Sequence, residues 1–267
     1  MKQAIRNWCL QRLAVVFLAL GVGMQANAVP LIWEPNFGVT VISADDSVAP
    51  VVFGFNFGFQ GTIYTGAEVS TNGFLSLGGS NGSGCCDGSV TGLLSGSPRI
   101  APAWYDLVTS VFFLNTTVAG RAVITWQGAE FSNNTVNTFQ VQLFANGDII
   151  FGYDTLTPLQ DVGHRHHGLV GLSPGMGAVD PGEIDYTTAL PLTMGPSVYE
   201  FFARGPNGAT GPTSDTYDLA GTNICYSPTT TGWNVSDCTV GVPEPGTLAL
   251  LGISLVGMGL ARRRKKV

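Results

Sequence analysis

Residues 138–153 read Thr-Phe-Gln-Val-Gln-Leu-Phe-Ala-Asn-Gly-Asp-Ile-Ile-Phe-Gly-Tyr, and this stretch decides the fold. Phe139, Val141 and Leu143 face one way, and Thr138, Gln140 and Gln142 the other. That is the period of a half-buried strand. Asn146-Gly147 follows, a pair that tolerates positive φ and reverses a strand on itself. Ile149-Ile150-Phe151-Gly152-Tyr153 then runs back. The same grammar repeats outward. Residues 67–77 are Ala-Glu-Val-Ser-Thr-Asn-Gly-Phe-Leu-Ser-Leu, with Asn72-Gly73 between two apolar runs. Phe53, Phe55 and Phe57 alternate upstream, and residues 122–126 are Ala-Val-Ile-Thr-Trp. The chain holds 36 Gly in 267 residues, well above the usual ~7%. They cluster with Ser, Thr and Asn between apolar runs, as tight turns between short strands do. No stretch between 29 and 241 keeps a helical period for ten residues. The expected fold is all-β, an antiparallel β-sandwich-like domain.

The two ends follow different rules. Residues 1–12 carry Lys2, Arg6 and Arg12, and Leu13 to Met24 is almost wholly apolar. Ala26-Asn27-Ala28 then places small residues where a signal peptidase reads them. Residues 1–28 therefore read as a secretory signal peptide, cut after Ala28. At the other end, Val242-Pro243-Glu244-Pro245 precedes an uncharged apolar run, Thr247 to Ala261, and Arg262, Arg263, Arg264, Lys265 and Lys266 close the chain. Basic residues after an apolar stretch stop translocation. A helix over 247–261 is about 22 Å long, short for a permanent span. This order is similar to the PEP-CTERM sorting signal of Gram-negative bacteria over residues 242–267. The resemblance implies transient membrane anchoring and processing by an exosortase near Pro-Glu-Pro. It also implies an inner-membrane intermediate, and a final place at the cell surface or in the extracellular matrix of a biofilm.

Between the ends, 29–241, every Lys is gone. Four Arg face 17 acids, a formal charge of −13 against −6 for the whole chain. That surface repels nucleic acid, whose binding depends on neutralising phosphates. Export permits disulfides. Cys225 and Cys238 enclose a short loop and are expected to bond. Cys85 and Cys86 then pair with each other or stay reduced; the alternative crosses each to the distant pair.

The central motifs carry a second resemblance. Val69-Ser70-Thr71-Asn72-Gly73-Phe74-Leu75-Ser76 and Pro98-Arg99-Ile100-Ala101-Pro102-Ala103-Trp104-Tyr105-Asp106-Leu107 resemble two motifs of the NIDO (nidogen-like) extracellular domain. Trp126, Asn137-Thr138-Phe139-Gln140 and Asn146-Gly147 follow in the family's order. The core of the match is 50–155, within a domain placed at 29–204. The resemblance implies a matrix or adhesion module, not an enzyme, with no cofactor. Ala103 departs from the family's aromatic, and the Cys85-Cys86 insertion has no counterpart. Residues 205–241, rich in Gly, Pro, Thr and Ser, read as a loosely ordered stalk carrying the Cys225–Cys238 loop.

Other constellations are weaker. His164, His166 and His167 with Asp161 contain metal-ligand types, but Arg165 repels a cation, and an exposed turn is the better reading. Asp180, Glu183 and Asp185 sit in one turn without EF-hand spacing, so a solvated turn is preferred to calcium. Gly-x-Ser-x-Gly occurs around Ser80 and Ser173, without the helix a nucleophile elbow needs. Trp104, Tyr105 and Asp106 suit a sugar site, though Trp104 reads better as core. No catalytic or metal residue is assigned. The expected partners are signal peptidase, exosortase, and an extracellular polysaccharide or surface protein. The alternative is a secreted glycan-active hydrolase.

Overall fold

A computed structural model of the chain describes residues 32–79, 82–85, 87–131, 135–156, 167–203 and 218–238. Among these, two antiparallel sheets face each other. The larger runs β1 (Val39–Ala44), β6 (Leu107–Asn115), β7 (Arg121–Glu130), β8 (Val136–Phe144), β9 (Ile149–Thr155), β13 (Asn223–Pro228), β14 (Trp233–Ser236) and β11 (Leu192–Met194). The smaller runs β12 (Val198–Ala203), β10 (His167–Ser173), β5 (Arg99–Trp104), β4 (Phe74–Ser76), β3 (Thr62–Ser70) and β2 (Val48–Phe59). The sandwich read from the sequence is the fold.

The inner faces explain its stability. Phe53, Phe57 and Phe59 from β2 meet Trp126, Phe139 and Phe151 from the larger sheet, all fully buried. Trp126 stacks on Phe139 with centroids 5.3 Å apart. Each such side chain contributes about 1.5–3 kcal/mol by leaving water. Both Asn-Gly turns form where expected. Gly73 sits at φ +80°, and a Cβ there would fall 1.9 Å from the Ala103 carbonyl oxygen. Only glycine meets both demands.

Three expectations change. First, β8 is not half-buried: Gln140 and Gln142 are as buried as Phe139. The segment from Ile32 to Phe37 lies across their face. Gln140 accepts from the Glu34 N–H at 3.1 Å and donates to the Glu34 carbonyl at 2.7 Å. Gln142 donates to the Ile32 carbonyl at 2.9 Å. Glu34 also pairs with Arg121. A polar strand face can be buried when its amides find backbone partners, and of these two side chains only the Gln142 Oε1 has none.

Second, the stalk expected at 205–241 does not hold for its described part. Strands β13 and β14 extend the larger sheet beside β9, and Leu219, Ile224, Tyr226, Trp233 and Val235 enter the core. Composition pointed to a linker because these few large residues are diluted by polar turn residues. Third, two short helices appear. Helix α1 (Val90–Ser95) is capped by Ser89, whose hydroxyl accepts from the Gly92 N–H, and it buries Leu93 and Leu94 on the outer face of the smaller sheet. Helix α2 (Tyr186–Ala189) is capped by Asp185. Both are too short to show a period. No helix among the described residues is long and apolar enough to cross a membrane. Residues 1–28 and 242–267, including the helix expected at 247–261, lie outside the described residues.

Candidate functional site

The strands run between two ends, and the turns at each end collect different side chains. One end holds the β1–β2 turn, the Asn72-Gly73 turn and the entry to β6. Here the carboxylates of Asp45, Asp46 and Asp106 lie within 4.8 Å of one another. Asn72 ties this end together: its Nδ2 donates to Asp46 at 2.8 Å, and its Oδ1 accepts from the Leu107 N–H at 3.0 Å. Carboxylate oxygens so close repel, and they form the kind of hard-oxygen cluster that attracts a divalent cation. Asp45 and Asp46 are exposed and Asp106 buried. The sequence reading missed this trio, because its members lie some 60 positions apart; the adjacent Asp45-Asp46 was the one available signal.

The last strand stops well short of this end: Ser236 lies opposite Cys225, which pairs with Ile150 near the start of β9. Strand β14 starts at the far end and finishes at Ser236, and Cys238 bonds Cys225 with a Cα–Cα distance of 5.1 Å. The expected Cys225–Cys238 bond is therefore present. Cys85 is also disulfide-bonded. This removes its reduced alternative and its pairing with Cys225 or Cys238; its partner lies outside the described residues.

The opposite end is a cleft of about 480 Å³ between four turns, at 58–61, 145–147, Pro196 and 228–232. None of the residues lining it is charged and none is aromatic. Trp233 lies beneath, its indole N–H donating to the Pro196 carbonyl at 3.2 Å and its ring 5.6 Å from Phe59. The Thr229 hydroxyl accepts from the Gly232 N–H at 3.0 Å, which locks one wall.

The remaining sequence candidates take structural places. His167 is half-buried in β10, its ring 5.4 Å from Phe201, rather than in an exposed turn. Asp161, His164, Arg165 and His166 lie outside the described residues, as does Ser80. Asp180 accepts from the Tyr199 hydroxyl at 2.8 Å and the Gly182 N–H at 2.9 Å, while Asp185 caps α2, so the acids of that turn are used separately. Ser173 is buried and bonds Ser197 and the Gly175 N–H. Trp104 is buried and donates to the Gly84 carbonyl at 2.9 Å. With Phe74 it encloses the Arg99 guanidinium, 4.0 and 4.2 Å from the two ring centroids. Burial lowers the Arg99 pKa to about 10. Tyr105 is core. Trp104, Tyr105 and Asp106 thus line no common sugar site.

One buried acid stands apart. Glu200 points from β12 into the core, and one oxygen accepts from the Tyr186 N–H at 3.1 Å. Its other oxygen has no partner. Burial pushes its pKa up to about 8, with the nearby charges of Asp185, Asp218 and Glu183 adding to the rise.

Two family models match the chain. The NIDO-related model matches residues 26–193, a wider span than the 50–155 core read from motifs, and the PEP-CTERM protein-sorting motif matches 241–265. No curated protein and no solved structure matches it. The sorting motif marks the chain for export and membrane-associated sorting toward the cell surface. Neither match is to an enzyme family. With the first match covering more than half of its length, the chain belongs to the NIDO-related family and ends in a PEP-CTERM sorting motif.

Proposed function

We propose that the chain is an exported, exosortase-sorted surface or matrix protein whose sandwich is a non-enzymatic adhesion module. Signal peptidase removes 1–28. The tail at 242–267 holds the chain briefly in the inner membrane, with Val242-Pro243-Glu244-Pro245 as the recognition sequence and Arg262 to Lys266 as the cytoplasmic stop. The observation that carries this reading is the pairing of a NIDO-related domain with a PEP-CTERM motif in one chain. The disulfide supports it, since such bonds persist in oxidising compartments. The uncharged cleft supports a binding role, because it presents no ionisable group to act as acid, base or nucleophile.

The test is intact-mass spectrometry and fractionation of the chain from its producing cells, with a reducing-end assay on matrix polysaccharide. The expected result is a matrix-associated chain that lacks residues 1–28 and the basic tail and releases no reducing ends. A full-length chain retained in the inner membrane would sink the sorting reading. Reducing-end release lost on mutating one carboxylate would replace adhesion by glycan hydrolysis.

A further inference from the structure

We infer that the cleft between the β2–β3, β8–β9 and β13–β14 turns binds a segment of an uncharged polysaccharide. The inference rests on the surface role proposed above and assigns its ligand class and contact site.

Gly58 is the first observation. It lies inside β2, where glycine costs roughly 0.5–1 kcal/mol relative to alanine. Its backbone is not in the left-handed region, and a Cβ there meets nothing within 4 Å. Neither conformation nor packing within the protein asks for glycine. What it does is leave room at the cleft wall, and a strand glycine of this kind marks a place where a ligand or another backbone comes close.

The second observation is the lining. Gln60 and Asn146 bring amides, Thr230 and Thr231 exposed hydroxyls, and Pro196 and Pro228 flat aliphatic rings. Hydroxyl-rich rings need donors and acceptors around their rim and aliphatic surface against their C–H faces. The lining lacks the cation that an anionic chain needs, and the exported part carries 17 acids against four Arg, so an acidic polysaccharide is repelled. It also lacks an apolar or aromatic pocket to anchor a peptide side chain. The volume of about 480 Å³ falls within the ~300–1,000 Å³ of small-ligand sites.

The third observation is rigidity. The Thr229 N–H donates to the Gly232 carbonyl at 2.9 Å, the Gly147 N–H to the Phe144 carbonyl at 2.9 Å, and Trp233 braces Pro196. Such walls lose little freedom on binding.

The test uses the full exported chain in native gels cast with polysaccharide from the producing cells. That material is freed of protein and split on an anion exchanger into neutral and acidic fractions. Wild type is retarded by the neutral fraction alone. Gly58→Val fills the cleft wall, lowers apparent affinity at least tenfold and leaves the melting temperature unchanged or raised. The double variant Thr230→Ala, Thr231→Ala weakens retardation severalfold. Undiminished retardation of Gly58→Val, or retardation by the acidic fraction alone, overturns the assignment. Matrix association of the chain without retardation by either fraction overturns the glycan but leaves the surface role standing. So does matrix association that disappears when the matrix is treated with protease, which would point to a protein partner. A chain absent from the matrix overturns both.

Discussion

The two ends of the sandwich are made of the same parts, tight turns rich in Gly, Asn and Thr, yet they carry opposite chemistry. One end concentrates charge, with Asp45, Asp46 and Asp106 within 4.8 Å of one another. The cleft at the other has an uncharged lining and rests on aromatic core. The difference teaches that turn composition does not say what an end does. What counts is which side chains the strand register delivers beside the turns: Asp106 follows β5 at one end, while Trp233 opens β14 at the other.

The largest break in this contrast comes from Trp233→Ala. The ring braces Pro196 and packs against Phe59 and Tyr226, so its loss should cost about 3–5 kcal/mol. Chemical denaturation should show one transition shifted as a whole, since the last strands share the core. A separate early transition for residues 218–238, with the main one unmoved, would restore the stalk reading.

In the last two strands, Cys225→Ser with Cys238→Ser should cost about 3 kcal/mol, the value for a loop near this length. Urea midpoints of variant and wild type measure it. An unchanged midpoint would mean that the β13–β14 pairing alone holds these strands.

Glu200 lies away from both ends and controls for whole-domain electrostatics. Its folded pKa, about 8, stands above its ordinary value of 4.5, so the folded state holds the proton more tightly. That preference is fully present below about pH 4.5 and is lost as pH rises to about 8. Glu200→Gln should therefore gain stability over wild type across this window, on the order of a few kcal/mol, and hold the gain above it. Melting curves from pH 5 to 9 show it; parallel curves for the two proteins would argue against burial of the charge.

The smallest effect belongs to the acidic trio. Asp45 is exposed, so Asp45→Asn should relieve repulsion by only a few tenths of a kcal/mol at low salt. The gain should fade in 1 M NaCl, where screening is nearly complete. A destabilised variant would show that the trio is held by something other than its own turn.

Much of the fold is legible in the sequence. The alternation over 138–144 and the pairs Asn72-Gly73 and Asn146-Gly147 mark real strands and real turns, because pleat period and positive φ are local properties. Cover is not local. Nothing in Gln140 or Gln142 announces that Ile32 to Phe37 will lie across them, since the bond partners are more than 100 residues away. The last two strands are hidden for a related reason. They borrow their apolar context from β9, and alone they read as linker. The sites are less legible still. The trio and the cleft are products of register, and glycine at position 58 becomes informative only once the space beside it is known to be open.

The disulfide at the end of β14 also sets a leash. Cys238 is tied to the larger sheet five residues before Pro243. Five residues of fully extended chain reach about 17 Å at most. Any peptidase that cuts at Pro-Glu-Pro after the sandwich has closed must therefore work within that distance of the folded sheet.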